Sequence, residues 1–230
     1  MKTVLITGCS WGAGVWGKDS NGDYGLLDSG LTRFYLENGF DALNLSFPGG
    51  DAWILLQQLD NFLWTNPHRK IEHIYYIQTD IGRNFAHKEF PIERFNYNFD
   101  SAVDFMYYKL YESLNEIAQR RRVKIKIIGG LTDVTVPFQL FDSLELVVPS
   151  WCQLIDPELP SVRLVDPESL SWLTERFSLH KSQLLSLLEQ GTNRLDYMNN
   201  NKKWFWPDGG HPNVQAHEKL FDYLIKNVQT

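Results

Sequence analysis

Ser10, Asp208 and His211 are the residues from which chemistry can be built in this chain. An imidazole that takes the serine proton turns a weak hydroxyl into a nucleophile for acyl carbons. A carboxylate must hold that imidazole in the tautomer that leaves one nitrogen free. His211 suits the base and Asp208 its orienting partner, because PDGGHPN sets them three residues apart. Pro212 biases His211 toward extended backbone and away from a helix interior. Taken singly these signals are bland: a serine after a buried strand is commonly a helix cap, and an Asp–His pair commonly lies on a surface. Acyl transfer also needs donors where negative charge grows on the carbonyl oxygen. The amides of Ser10 and Gly50 are the expected pair, since glycine permits close backbone approach, although PGGD alone reads equally well as a tight turn before a helix. Thr79 is expected to add a hydroxyl donor. Asp80 is expected either to contact substrate or to brace its loop.

Residues so far apart can meet only if the fold gathers strand ends. Apolar runs at 3–7, 41–45, 71–79, 124–130 and 144–149 read as strands, with helical spacing between most of them. Strands separated by helices pair in parallel, because each face of the sheet must be covered. Loops leaving the C-terminal ends of parallel strands converge on one edge, which brings Ser10, Gly50, Thr79 and Asp80 together. AWILLQQLDNFL, VDFMYYKLYESLNEIAQ and AHEKLFDYLIKNV have helical spacing, as has KSQLLSLLEQG, for which Gly191 is the expected stop. The polar and aromatic stretch 82–100, interrupted by Pro91, reads as a lid. The proline-broken stretch 149–203 reads as an insertion, placed beside the site or covering the sheet edge. No repeat or linker divides the 230 residues, so one domain over 1–230 is expected.

The order of these segments resembles that of the SGNH, or GDSL-like, hydrolase superfamily. GCS at 8–10 resembles its first block, with Ser10 as nucleophile. NLSFPGGD at 44–51 resembles the second, with Gly50 as oxyanion donor, and IQTD at 77–80 the third. DGGHPN at 208–213 resembles the last, with Asp208 and His211. The resemblance spans almost the whole chain and implies a three-layer α/β/α, flavodoxin-like fold with a parallel sheet of about five strands. It implies a serine esterase that works without metal or organic cofactor. Two positions depart from the pattern: Cys9 stands where the first block has Asp, and Thr79 stands where the third has its oxyanion Asn. Threonine has the shorter reach, so either Gln78 or Asn84 compensates or the hole is weakened, by about a hundredfold in rate if a donor is lost. Cys9 itself is the alternative nucleophile, disfavoured because adjacent side chains leave a strand in different directions.

Composition removes several other readings. A formal charge of −6 disfavours general nucleic-acid binding. Two cysteines outside any CxxC spacing supply neither a disulfide framework nor a zinc site, and the histidines are scattered without ligand spacing. GCSWGAG lacks the spacing of a nucleotide-binding loop. Neither a secretory signal nor an apolar stretch long enough to cross a bilayer is apparent, so a cytoplasmic protein without membrane contact is expected. Trp11, Trp53, Asp80 and Arg83 are the expected substrate-binding residues, with Trp16, Tyr24 and Phe85 as further aromatics near the strand-end loops. Aromatics mixed with Asn, Asp and Gly favour an acetylated glycan or other small ester over a lipid. GCSWG resembles bacteriophage-encoded versions of the superfamily, which implies association with a virion and a surface glycan as substrate. The alternatives are a glycan-binding protein that has lost efficient chemistry and a structural particle protein.

Overall fold

The computed structural model describes residues 3–81, 99–163, 165, 181–206 and 210–228. Its first half runs β1 (Thr3–Gly8), α1 (Ser10–Ala13), β2 (Val15–Lys18), β3 (Tyr24–Asp28), α2 (Leu31–Glu37), β4 (Asp41–Asn44) and α3 (Ala52–Thr65). The second half runs β5 (Ile71–Ile77), α4 (Phe99–Arg121), β6 (Ile125–Ile128), β7 (Leu144–Val148), α5 (Trp151–Ile155), α6 (Lys181–Asn200) and α7 (Val214–Val228). Five strands make one sheet in the order β4-β1-β5-β6-β7, and every neighbouring pair is parallel. This is the flavodoxin order, with its switch point at β1. TVLITG can lie inside the sheet, between β4 and β5, because all six of its residues are buried.

Side-chain alternation along the strands feeds two separate cores, which is what a sheet covered on both faces requires. Leu5, Ile74, Tyr76, Ile125 and Ile127 point to one face, where α3 and α4 cover them. Val4, Ile6, Tyr75, Ile77 and Ile128 point to the other, which packs on α2, α5, α7, Met198 and Phe205. The architecture is therefore the expected three-layer α/β/α sandwich. Asp51 starts α3 by accepting the Ile54 N–H at 2.9 Å, so the polar end of PGGD is a helix cap.

One expectation changes, and two features come into view that the sequence left open or unassigned. Residues 15–28 form an antiparallel hairpin, β2 on β3, outside the main sheet. Helix α6 does not stop at Gly191 but continues to Asn200. The roughly 1 kcal/mol that an interior glycine costs a helix is outweighed because the following turns bury Arg194 and Met198. The described part of 149–203 is structural: Trp151, Cys152, Ile155 and Met198 belong to the second core. The lid expected at 82–100 lies outside the described residues except for its last two, which begin α4.

Candidate active site

The C-terminal end of β1 delivers Ser10. Gly8 has a φ of 154°, and a Cβ there would stand 2.5 Å from the Ile77 carbonyl oxygen, so only glycine lets β1 turn this close to β5. Ser10 then becomes the first residue of α1, behind Cys9 at the cap. In that position its N–H has no acceptor within the helix, and its side chain is nearly covered, at 6% exposure for the residue.

A short antiparallel ladder near the other end of the chain delivers His211. Phe205 bridges to Pro212. The Trp206 N–H donates to the His211 carbonyl at 2.9 Å, and the Asn213 N–H donates to that of Trp204 at 2.9 Å. Asn213 locks the ladder to the following helix: its Oδ1 accepts the Ala216 N–H at 3.1 Å, and its Nδ2 donates to the Lys203 carbonyl at 2.9 Å. With the backbone so held, His211 Nε2 lies 2.9 Å from Ser10 Oγ across 201 residues of sequence. That is the distance at which an imidazole takes a hydroxyl proton.

The hairpin completes the surroundings. Tyr24 Oη lies 3.2 Å from His211 Nδ1. Trp16 is stacked with Tyr24 at 6.2 Å between ring centroids and tilted against the His211 ring at 5.7 Å. The Trp16 Nε1–H donates to the Ser10 carbonyl at 3.0 Å. Neither aromatic was expected to hold the base. Their signal in the sequence is the DSNGD loop between VWGK and YGLLD, a hairpin pattern blurred by the two glycines in its strands.

Other expected site residues have different duties. Asp208 and Arg83 lie outside the described residues, as do Asn84 and Phe85. Trp11 is no substrate platform: it is 2% exposed and packs edge-on against Trp151 and near Phe205 in the second core. A helix only four residues long buries all of its side chains here. Trp53 is half-buried against the first core. Asp80 is wholly buried, and its Oδ2 accepts the Val165 N–H at 2.6 Å, so it braces the loop and is not presented to substrate. Gly50, expected as an oxyanion donor, spends its N–H on the Phe47 carbonyl at 3.0 Å, closing the turn of PGGD. Thr79 is wholly buried, and its Oγ1 has no hydrogen-bond partner among the described residues, which leaves its proton uncommitted.

Gln78 does not substitute for the missing amide. Its Nε2 donates to Thr132 Oγ1 at 2.9 Å and to the Asp133 carbonyl at 3.0 Å, and its Oε1 accepts from the Tyr111 hydroxyl. Cys9 is 1% exposed within the second core, and Ser10 is the residue whose side chain meets the imidazole. Burial pushes the Cys152 thiol up to about 12, against the pull of Arg194, which makes it inert as a thiolate. Among the described residues, no three His, Cys, Asp or Glu side chains converge as metal ligands. None of the described helices is long and apolar enough to cross a membrane.

No protein-family model matches the chain, and no curated protein matches it in sequence. Among solved structures it is similar to the lipase/acylhydrolase from Enterococcus faecalis, at 13% identity and TM-score 0.45 over 99% of this chain and 95% of that one. It is similar to the psychrotrophic esterase EstA from Pseudoalteromonas sp., at 15% identity and TM-score 0.45 over 100% and 97%. A member of the lipolytic protein G-D-S-L family from Veillonella parvula gives 11% identity and TM-score 0.46 over 99% and 98%.

Proposed function

We propose that the protein is a serine hydrolase that cleaves carboxylic esters through an acyl-enzyme on Ser10. The observation that carries this reading is the 2.9 Å approach of His211 Nε2 to Ser10 Oγ at the C-terminal edge of the parallel sheet. His211 accepts the hydroxyl proton as Ser10 attacks the ester carbon, and returns it to the departing alcohol. Water activated by the same imidazole then releases the acid. The Ser10 N–H, at the first position of α1, is the donor best placed by its backbone for the oxyanion; Thr79, wholly buried, keeps the second-donor role only as its sequence position suggests. Asp208 keeps the orienting role that its spacing from His211 suggests.

A small acyl group, with acetyl as the first choice, suits a nucleophile this deeply set. A carbohydrate acceptor now draws its support from Trp16 and Tyr24, the latter 48% exposed, because Trp11 is committed to the core. The test is release of acid from short acyl esters and acetylated glycans by the parent protein and by Ser10→Ala. We expect at least a thousandfold loss of turnover in the folded variant. Equal rates in the two proteins would reject Ser10 as the nucleophile. Binding of glycans without any turnover by the parent would favour the non-catalytic alternative.

A further inference from the structure

We propose that Tyr24 is a positioning residue of the hydrolytic site, its hydroxyl holding Nδ1 of His211 while Trp16 backs the ring. The inference rests on the reading of Ser10 and His211 as a hydrolytic pair. Three contacts from one hairpin meet at that pair: Tyr24 Oη to His211 Nδ1 at 3.2 Å, Trp16 against the imidazole at 5.7 Å, and Trp16 Nε1–H to the Ser10 carbonyl at 3.0 Å. The hairpin therefore touches both the base and the backbone of the nucleophile.

The chemistry of the two ring nitrogens defines what the hydroxyl can do. A carboxylate only accepts hydrogen bonds, so it selects the tautomer with hydrogen on Nδ1 and leaves Nε2 free for the Ser10 proton. A phenol both donates and accepts. With hydrogen on Nδ1, Tyr24 Oη accepts and the productive arrangement stands. With hydrogen on Nε2, Tyr24 donates to Nδ1, and Nε2–H points its proton at Ser10 Oγ, where the base is lost. Tyr24 thus fixes the rotation of the ring without choosing its tautomer. That choice remains with a carboxylate, which the sequence assigns to Asp208. A hydrogen bond from an exposed tyrosine on a two-stranded hairpin is also removable, because such a hairpin draws its stability from what it packs on.

Tyr24→Phe removes only the hydroxyl. The readouts are the ¹⁵N shifts of the His211 imidazole, assigned with His211→Gln, and kcat on a short acyl ester. We expect the Nδ1 shift to lose the contribution of its hydrogen bond to the phenol, and kcat to fall about fivefold at unchanged KM. Trp16→Leu should reproduce the change in shifts, and Trp16→Phe should largely restore them. Lys18→Ala, an exposed change across the hairpin from Tyr24, should alter neither readout. If it altered both as Tyr24→Phe does, the effect would belong to hairpin stability and the assignment to the hydroxyl would be overturned. Unchanged shifts in Tyr24→Phe would overturn it as well. The spectra need no substrate, so a failure of the ester reading shows as absent turnover in the parent, separately from the fate of the tyrosine.

Discussion

Two polar constellations lie at the C-terminal edge of the same sheet, and they have opposite economies. Around β5 and β6, Gln78, Tyr107, Tyr111, Thr132, Asp133 and Arg194 are all buried. Nearly every polar atom there is committed. Tyr107 Oη is 2.8 Å from Thr132 Oγ1 and donates to the Arg163 carbonyl at 3.1 Å. Asp133 Oδ2 accepts from Arg194 at 2.9 Å and from the Val162 N–H at 2.7 Å, while Arg194 also donates to the Pro160 carbonyl at 2.7 Å. Around β1, Ser10 and His211 meet with a partly accessible ring and an α1 N–H without an intrahelical acceptor. A saturated network fixes loops. A site needs hydrogen-bonding capacity left over for a substrate.

The sharpest way to break this contrast is to exchange the phenotypes. Ser10→Ala should abolish turnover while leaving the unfolding free energy within about 1 kcal/mol of the parent, because it removes one hydroxyl–imidazole hydrogen bond and no packed carbon. Arg194→Met should do the reverse. It strands the Asp133 carboxylate in a 2% exposed setting, so the variant should lose about 3–5 kcal/mol of stability in chemical denaturation. The fraction that stays folded should keep its kcat. If Arg194→Met left stability intact but removed activity, the division between the two constellations would collapse.

A second histidine sharpens the comparison. His217 is completely buried, its Nδ1 accepts the Leu31 N–H at 3.1 Å, and burial holds its pKa down at about 3. Depression below the unfolded value near 6.5 means the unfolded chain binds the proton first. The contribution is fully present above pH 6.5 and is lost as pH falls from there toward about 3, at a limit of about 1.4 kcal/mol per pH unit for one proton. Midpoints at pH 7.5 and 5.0 should therefore separate by less in His217→Gln than in the parent. The smallest effect expected is at the α3 cap: Asp51→Ala should cost about 1 kcal/mol of stability in the same assay.

How much of this could be read from the chain varied with the physics involved. Strands β1 and β6 were legible because a strand buried on both faces reads as a near-continuous apolar run, whereas the partly covered edge strand DALN was legible only from its place between turn and helix signals. Ser10 was legible from the convergence of parallel strand ends, and His211 from its spacing to Asp208 in PDGGHPN, since an antiparallel ladder and not a sheet strand delivers it. Long-range commitments were not: nothing in IQTD says that Gln78 reaches under the sheet edge to Tyr111, or that Asp80 answers the amide of Val165. Trp11 looked available because aromatics near loops look alike in sequence, and only the packing of α1 against Trp151 decides that it is buried. The hairpin escaped notice because Gly17 and Gly25 interrupt its alternation.

That same Gly17 ties the two termini of the chain into one machine part. A methyl group there would stand 2.8 Å from Leu27 Cδ1 and 2.9 Å from the Trp206 ring, and Trp206 is bonded through its backbone to His211. Hairpin and histidine ladder are thus meshed like gear teeth. A side chain at position 17 therefore calls for room made at Leu27 or Trp206, and a larger change at one joint is felt at the other.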